Sequence, residues 1–268
     1  METEWAQRLE AARDISREAG ELALGYFQQL DHLTVEHKGH QDLVSEADRN
    51  VELLIRRCLS ERFPEDGVVG EEHAPSAGSS GYTWVIDPID GTSNFLAGIP
   101  AWVVVLACVF RGKTVLGVVF DPNQNELFTA ALGHGAYRNG QVMAVSHSAG
   151  LGQGAVGVGY SNRVRELNIC AVISELIARG GMFYRNASGA LSLVYVADGR
   201  LLGYVEEHMN AWDCLAGQLL VQEAGGRVEP QNADQMIANG GRVVVGISAV
   251  FDTLQLICDQ SFDPAKGV

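Results

Sequence analysis

Trp84-Val85-Ile86-Asp87-Pro88-Ile89-Asp90-Gly91-Thr92-Ser93-Asn94-Phe95 is the most informative stretch of the chain. An apolar strand delivers two carboxylates three residues apart, and Gly-Thr-Ser then opens a short helical turn. Carboxylate oxygens suit hard cations, and the Ile89 carbonyl joins them if the proline-containing turn aims it inward. The Gly91 and Thr92 amides at the head of the turn can face an anion. The same letters also fit a plain strand end followed by an Asx-type turn with a capping threonine. The block by itself leaves both readings open.

On its C-terminal side the pattern is one of strands. Ile99 to Phe110, Thr114 to Phe120 and Glu126 to Ala130 are apolar runs separated by turn signals at Arg111-Gly112-Lys113 and Asp121-Pro122-Asn123, which reads as an antiparallel meander. On its N-terminal side, Trp5, Leu9, Ala12, Ile15, Ala19, Leu22 and Tyr26 recur at helical steps, and a second helix is expected over Asp48 to Arg62, stopped by Pro64. His73 to Tyr82, rich in Gly, Ser and Pro, reads as the most mobile loop. Beyond Gly150 the pattern alternates: strands near 155–159, 182–185, 202–205 and 243–247, helices near 165–179, 190–197 and 212–224. This predicts one layered α/β unit over residues 1–268, with lobes 1–150 and 151–268 and no long linker.

Composition narrows the function classes. The chain has 268 residues, with 33 acidic against 19 basic side chains and a formal charge of −14. That balance argues against binding nucleic acid through a basic face, but leaves anionic substrates open if bound cations invert the local field. Five scattered cysteines without a CxxC pair read as reduced thiols in a cytoplasmic protein. The start lacks a signal-peptide pattern, and the longest apolar run falls well short of the roughly 20 residues of a membrane span. Gly152 to Gly157 fits GxGxxG, but no strand precedes it and no helix opens at Gly157, so it reads as a crossover between lobes. Pro88 stands where an aspartyl phosphatase of the DxDGT type needs its nucleophile. The seven histidines show no zinc spacing.

Further acids sit at element ends. Glu71 and Glu72 follow Val68-Val69-Gly70, Asp48 closes Val44-Ser45-Glu46-Ala47-Asp48, and Asp213 follows Ala211-Trp212. Singly, each reads as a cap or a strand-end charge. Together, Asp48 in its block, GlyGluGlu, TrpValIleAspProIleAspGlyThrSerAsnPhe, TrpAspCysLeuAlaGly and GluAlaGlyGly (Glu223 to Gly226) resemble the inositol monophosphatase family in order and spacing, over about residues 5–255. Leu215 stands where that family usually has Ala.

The resemblance implies an αβαβα sandwich and hydrolysis of small phosphate monoesters, inositol-1-phosphate first, with two to three Mg²⁺ ions. One ion would be held by Glu71, Asp87 and the Ile89 carbonyl, a second by Asp87, Asp90 and Asp213, and a third through water on Glu71. Glu71 and Thr92 would orient the attacking, metal-activated water, with Asp48 supporting Thr92, while Gly91 and Thr92 hold phosphate oxygens. Asp90, Ala190 and Glu206 would contact the substrate, and Lys38 and Ser161 are weaker candidates for the site. In the loop before Ala190 this chain reads Ser188-Gly189-Ala190 where the family has Gly-Ser/Thr-Ala. The resemblance also implies a homodimer and lithium sensitivity. Its rivals are a 3′(2′),5′-bisphosphate nucleotidase, a histidinol-phosphate phosphatase, a fructose-1,6-bisphosphatase-like enzyme, and a non-catalytic RNA-polymerase-associated antitermination factor. Electrostatics point to cations independently. Five converging carboxylates would repel a phosphate dianion by about 3 kcal/mol per unit-charge pair at ~6 Å and an effective dielectric of ~20.

Overall fold

The computed structural model describes residues 3–33, 35–39, 42–161 and 163–262. In chain order the first part holds α1 (Thr3–Phe27), β1 (Val35–Gly39), β2 (Asp42–Ser45), α2 (Glu46–Arg62), β3 (Gly67–Gly70), β4 (Tyr82–Asp90), α3 (Thr92–Leu96), β5 (Val103–Phe110), β6 (Lys113–Asp121), β7 (Glu126–Ala131), β8 (Ala136–Arg138) and β9 (Gln141–Val142). Then follow β10 (Ala155–Val158), α4 (Glu166–Ala178), β11 (Met182–Tyr184), α5 (Gly189–Ala197), β12 (Gly203–Met209), α6 (Ala211–Glu223), β13 (Arg227–Val228), α7 (Ala233–Asn239), β14 (Gly241–Gly246) and α8 (Ser248–Ser261). Strands β3 to β9 form one seven-stranded sheet in sequence order, antiparallel except for the parallel β3–β4 pair. The second sheet is ordered β11-β10-β12-β14-β13. Helices α1 and α2 cover the outer face of the first sheet, α5 and α6 lie between the sheets, and α4 and α8 cover the far side. This is the αβαβα sandwich, with the expected meander at its first sheet.

Residue periodicity explains the layering. In β5, Val103, Val105, Ala107 and Val109 join the core shared with α5 and α6, whereas Val104, Leu106 and Cys108 join the core under α1 and α2. Both faces are covered, so the strand reads as a continuous apolar run and not an alternating one. Small residues set the spacing: a Cβ on Gly117 would stand 2.8 Å from the Ala216 carbonyl oxygen of α6. The central core draws on residues on both sides of residue 150, so the two expected lobes share one interior.

Three expectations change. The glycine-rich loop is tied down: Ser79 and Ser80 donate their amides to the Glu65 carbonyl (2.8 and 3.0 Å), and Ser76 bridges Val68. A Cβ on Gly78 would lie 2.2 Å from the Gly67 nitrogen, so its glycine serves close packing and not mobility. Strand β12 runs on to Met209, past the expected end at Val205, because β14 pairs with it as far as Met209. Helices α7 and α8 were not expected, although Val250, Phe251, Leu254, Ile257 and Cys258 have helical spacing and are buried.

A buried ion pair anchors α1 to the first sheet. Arg8 grips Asp66 through Nε and Nη2 (2.9 and 2.8 Å), and Trp84 Nε1 and Ser80 Oγ donate to the same carboxylate at 3.0 and 2.7 Å. Removing one partner leaves the other charge buried and unpaired. Asp66→Asn is therefore expected to lower the urea-unfolding free energy by about 3–5 kcal/mol.

Candidate active site

The parallel β3–β4 pairing sets the site. Its register places Gly70 beside Ile86, so Glu71 leaves β3 next to the point where β4 delivers Asp87. The β4–β5 pairing then shifts between Asp87 and Asp90, where Pro88 has no N–H to give a ladder. Asp213 comes from the third position of α6, accepting the Asn210 amide at 3.2 Å. As a result, carboxylate oxygens of Asp87, Asp90 and Asp213 lie within 4.8 Å of one another. Asp87 and Asp90 are buried.

Such crowding is costly for anions. Burial pushes the Asp87 carboxyl well above its ordinary range, and Glu71, Asp90 and Asp213 push it further. Asp213 is pushed up to about 8 by burial and then by Asp90 and Glu206. Asp90 is raised by burial, an effect opposed by Ser188 Oγ and the Ala190 amide, which donate to it at 2.5 and 2.8 Å. An all-oxygen, strongly anionic donor set of this kind fits hard divalent cations such as Mg²⁺. Asp87, Asp90 and Asp213 would hold such an ion, and Glu71 lines the same cavity.

Beside the triad, Thr92 Oγ1 stands 3.1 Å from both Asp48 Oδ1 and the Ile89 carbonyl oxygen, sharing its single proton between them. Asp48 is fully buried at the start of α2, where its other oxygen accepts the Ser45 amide and hydroxyl at 2.9 and 2.6 Å. Cap and support are thus one residue. Gly91 caps the start of α3 with φ of +103°, and a Cβ there would meet the Ala101 carbonyl oxygen at 2.8 Å. Gly91→Ala is accordingly expected to cost about 2 kcal/mol or more of stability through strain, read as a fall in unfolding temperature.

These groups open onto a cavity of about 810 Å³ lined by Glu71, Asp87, Asp90, Gly91, Thr92, Asp213 and Glu206 among others. Glu206 sits on β12 across from the triad. Its carboxyl is pushed up to about 7 by burial, against the pull of the Tyr204 hydroxyl donating at 2.5 Å. Ser161 also lines the cavity. Ala190 does not: it is fully buried, and its amide is given to Asp90. Lys38 has its backbone in β1, while its side chain lies outside the described residues.

Several residues of the site were not expected. Asn94 Nδ2 ties the Asp-Gly-Thr turn to the next layer, donating to the Ala101 and Asn186 carbonyls at 2.7 and 2.6 Å. Arg163 and Arg185 line the cavity and make no ion pair among the described residues. Asn186 Nδ2 is buried on the same wall without a partner among the described residues, as is the Oγ of Ser161, which the sequence did offer as a weaker candidate. The departure at Ser188-Gly189-Ala190 marks this loop as unusual in sequence, but not the contact that Ser188 makes with Asp90. Glu223, by contrast, serves the fold, accepting the Gly133 and Gly135 amides at 2.9 Å each.

Comparison with known proteins gives a consistent picture. The model of the inositol monophosphatase family matches residues 4–256. Nus factor SuhB of Pseudomonas aeruginosa is 36% identical over 253 residues, covering 92% of this chain and 93% of that one. An inositol-1-monophosphatase of Mesorhizobium japonicum is 36% identical over 241 residues, 89% of this chain and 88% of its own. Among solved structures, extragenic suppressor protein SuhB from Bartonella henselae superposes with a TM-score of 0.88 at 31% identity, covering 97% and 98% of the two chains. The Thermotoga maritima IMPase gives 0.84 at 29% identity, covering 95% and 97%.

Proposed function

The chain belongs to the inositol monophosphatase family, and from that premise we propose that it is a Mg²⁺-dependent hydrolase of small phosphate monoesters, with inositol-1-phosphate as substrate. The observation that carries this reading is the triad of buried Asp87 and Asp90 with half-buried Asp213, brought within 4.8 Å at the wall of a cavity that Glu206 also lines. Two to three Mg²⁺ ions bound by Glu71, Asp87, the Ile89 carbonyl, Asp90 and Asp213 would supply Lewis acidity and cancel the repulsion between this wall and phosphate.

The chain's own groups do the rest. Thr92 and Glu71 orient the water that attacks phosphorus, and Asp48 holds the Thr92 hydroxyl in place. The amides of Gly91 and Thr92 have no carbonyl partner within the first turn of α3 and donate to phosphate oxygens. Glu206 and Asp90 accept hydroxyls of the ring, which sets its face toward the reacting bond. In this reading the attacking group is the oriented water and not a side chain, so the phosphoryl group passes directly to water.

A second reading rests on the wall formed by Arg163, Arg185, Ser161 and Asn186, which offers donors and positive charge held in no ion pair among the described residues, although both arginines act on the Glu206 carboxyl from a distance. That chemistry favours an alcohol carrying a second anionic group, as in a nucleoside bisphosphate. Phosphate release from inositol-1-phosphate, glycerol-2-phosphate, adenosine 3′,5′-bisphosphate and histidinol phosphate, with Mg²⁺, EDTA or Mg²⁺ plus Li⁺, decides between them. Inositol-1-phosphate is expected to be preferred and its turnover to fall with Li⁺, whereas preference for the bisphosphate moves the substrate to the second reading. Turnover of none of the four would leave a partner-binding role, as the name Nus factor SuhB implies for a relative.

Assembly is part of the same proposal. No helix among the described residues is long and apolar enough to cross a membrane. Met182, Phe183 and Tyr184 lie exposed along the edge strand β11, and they supply the apolar area for a homodimer. Sedimentation equilibrium is expected to give twice the chain mass, and Phe183→Glu to give the monomer.

A further inference from the structure

We propose that Glu52, which does not line the cavity, is the positioning residue that fixes the turn carrying Glu71. Its side chain is fully buried on α2, one helical turn beyond Asp48. Both carboxylate oxygens are committed to the turn and its neighbour. Oε2 accepts the Glu72 amide at 2.8 Å, and Oε1 accepts the His73 amide at 3.2 Å and Arg56 Nε at 2.7 Å. Arg56 closes the ring by donating from Nη2 to the His73 carbonyl at 3.1 Å. Gly70 packs on the same carboxylate, and a Cβ there would stand 2.5 Å from Oε1.

The geometry gives α2 two tasks at one end of the site. Asp48 holds the Thr92 hydroxyl, and four residues later Glu52 holds the backbone on either side of the peptide that follows Glu71. The two groups assigned to orienting water are therefore referenced to one rigid helix and not to two independent loops. A buried carboxylate costs free energy unless it is paired and hydrogen-bonded, and here its partners are the amides of the turn itself. An apolar residue would save that cost but leave the Glu72 and His73 amides without their acceptors, and glutamine keeps an acceptor for only one of the two. Supports of this kind typically change metal affinity or activity by about 10–100-fold when removed.

The inference rests on the metal-binding reading of Glu71, and its test separates the two. Mg²⁺ binding to the whole chain is measured by titration calorimetry, and amide exchange over residues 70–74 by mass spectrometry, for the wild type, Glu52→Gln and Gly70→Ala. Asp66→Asn serves as a control for general destabilisation away from the turn. Glu52→Gln and Gly70→Ala are expected to bind Mg²⁺ at least tenfold more weakly and to exchange the Glu72 and His73 amides faster. Asp66→Asn should lower the unfolding temperature with Mg²⁺ affinity unchanged. Wild-type affinity and unchanged exchange in either folded turn variant overturn the proposal, as does an equal loss of affinity in Asp66→Asn. If the wild type takes up no Mg²⁺, the functional reading fails. The exchange rates at Glu72 and His73 then decide the positioning role: faster in the variants supports it, unchanged overturns it.

Discussion

Replacing Asp213 by asparagine is expected to lower Mg²⁺-dependent phosphate release about a thousandfold while raising the unfolding temperature of the metal-free protein. The loss follows from removing one of three carboxylates that share a cation, since several kcal/mol of charge stabilisation correspond to about three decades in rate. The gain has the opposite origin. In the metal-free fold Asp213 faces Asp90 and Glu206 from a site where burial already disfavours its charge, and asparagine carries none. The Asn210 amide that donates to Asp213 still finds the side-chain carbonyl of asparagine. Each kcal/mol of relieved repulsion should move the midpoint by roughly 2–4 °C. Calorimetry in EDTA and phosphate release in Mg²⁺ check the two halves separately. A variant that loses both activity and stability would show that the triad is a structural cluster and not a strained binding site.

The metal-free protein is expected to lose stability as pH rises from about 6 to 8.5. Asp213 is pushed up to about 8 and Glu206 to about 7, and Asp87 is also raised, all with burial as the largest cause. Unfolded carboxyls titrate near 4. Between those limits the folded state keeps protons that the unfolded state has released, so stability falls with rising pH. This contribution is complete below the unfolded values and gone once pH passes the folded ones. Mg²⁺ replaces the protons, so its stabilising effect should be small at pH 6 and large at pH 8.5. Thermal unfolding across that range, with EDTA and with Mg²⁺, measures both. A metal-free midpoint that rises between pH 6 and 8.5 would contradict the proposed burden of buried charge.

Much of this was legible in the sequence because chemistry and fold use the same short blocks. Trp84 to Phe95 reads as strand, paired acids and turn, and the structure builds β4, the carboxylates and α3 from it. The apolar runs gave the meander, since covered faces leave an unmistakable hydrophobic signature. Contacts made across long separations in sequence were not legible. Ser188 donates to Asp90 from 98 residues away, and Asn94 reaches Asn186 over 92, and no local pattern marks either pair. The tethered loop at Gly78 shows a related failure, for a glycine needed for close packing looks the same in sequence as one that lends mobility. Glu52 was not legible either: in sequence it is one acid four positions after Asp48, and both its burial and its backbone-amide partners appear only in the structure.

The central claim is a cation-dependent phosphatase site built on Asp87, Asp90 and Asp213. Its most direct test is the rate of phosphate release from inositol-1-phosphate by the whole chain as Mg²⁺ is titrated into metal-stripped protein. The account predicts no release in EDTA, saturable release with Mg²⁺, and no recovery at any Mg²⁺ concentration in Asp90→Asn. Release that persists in EDTA, or that Asp90→Asn retains in full, would contradict it.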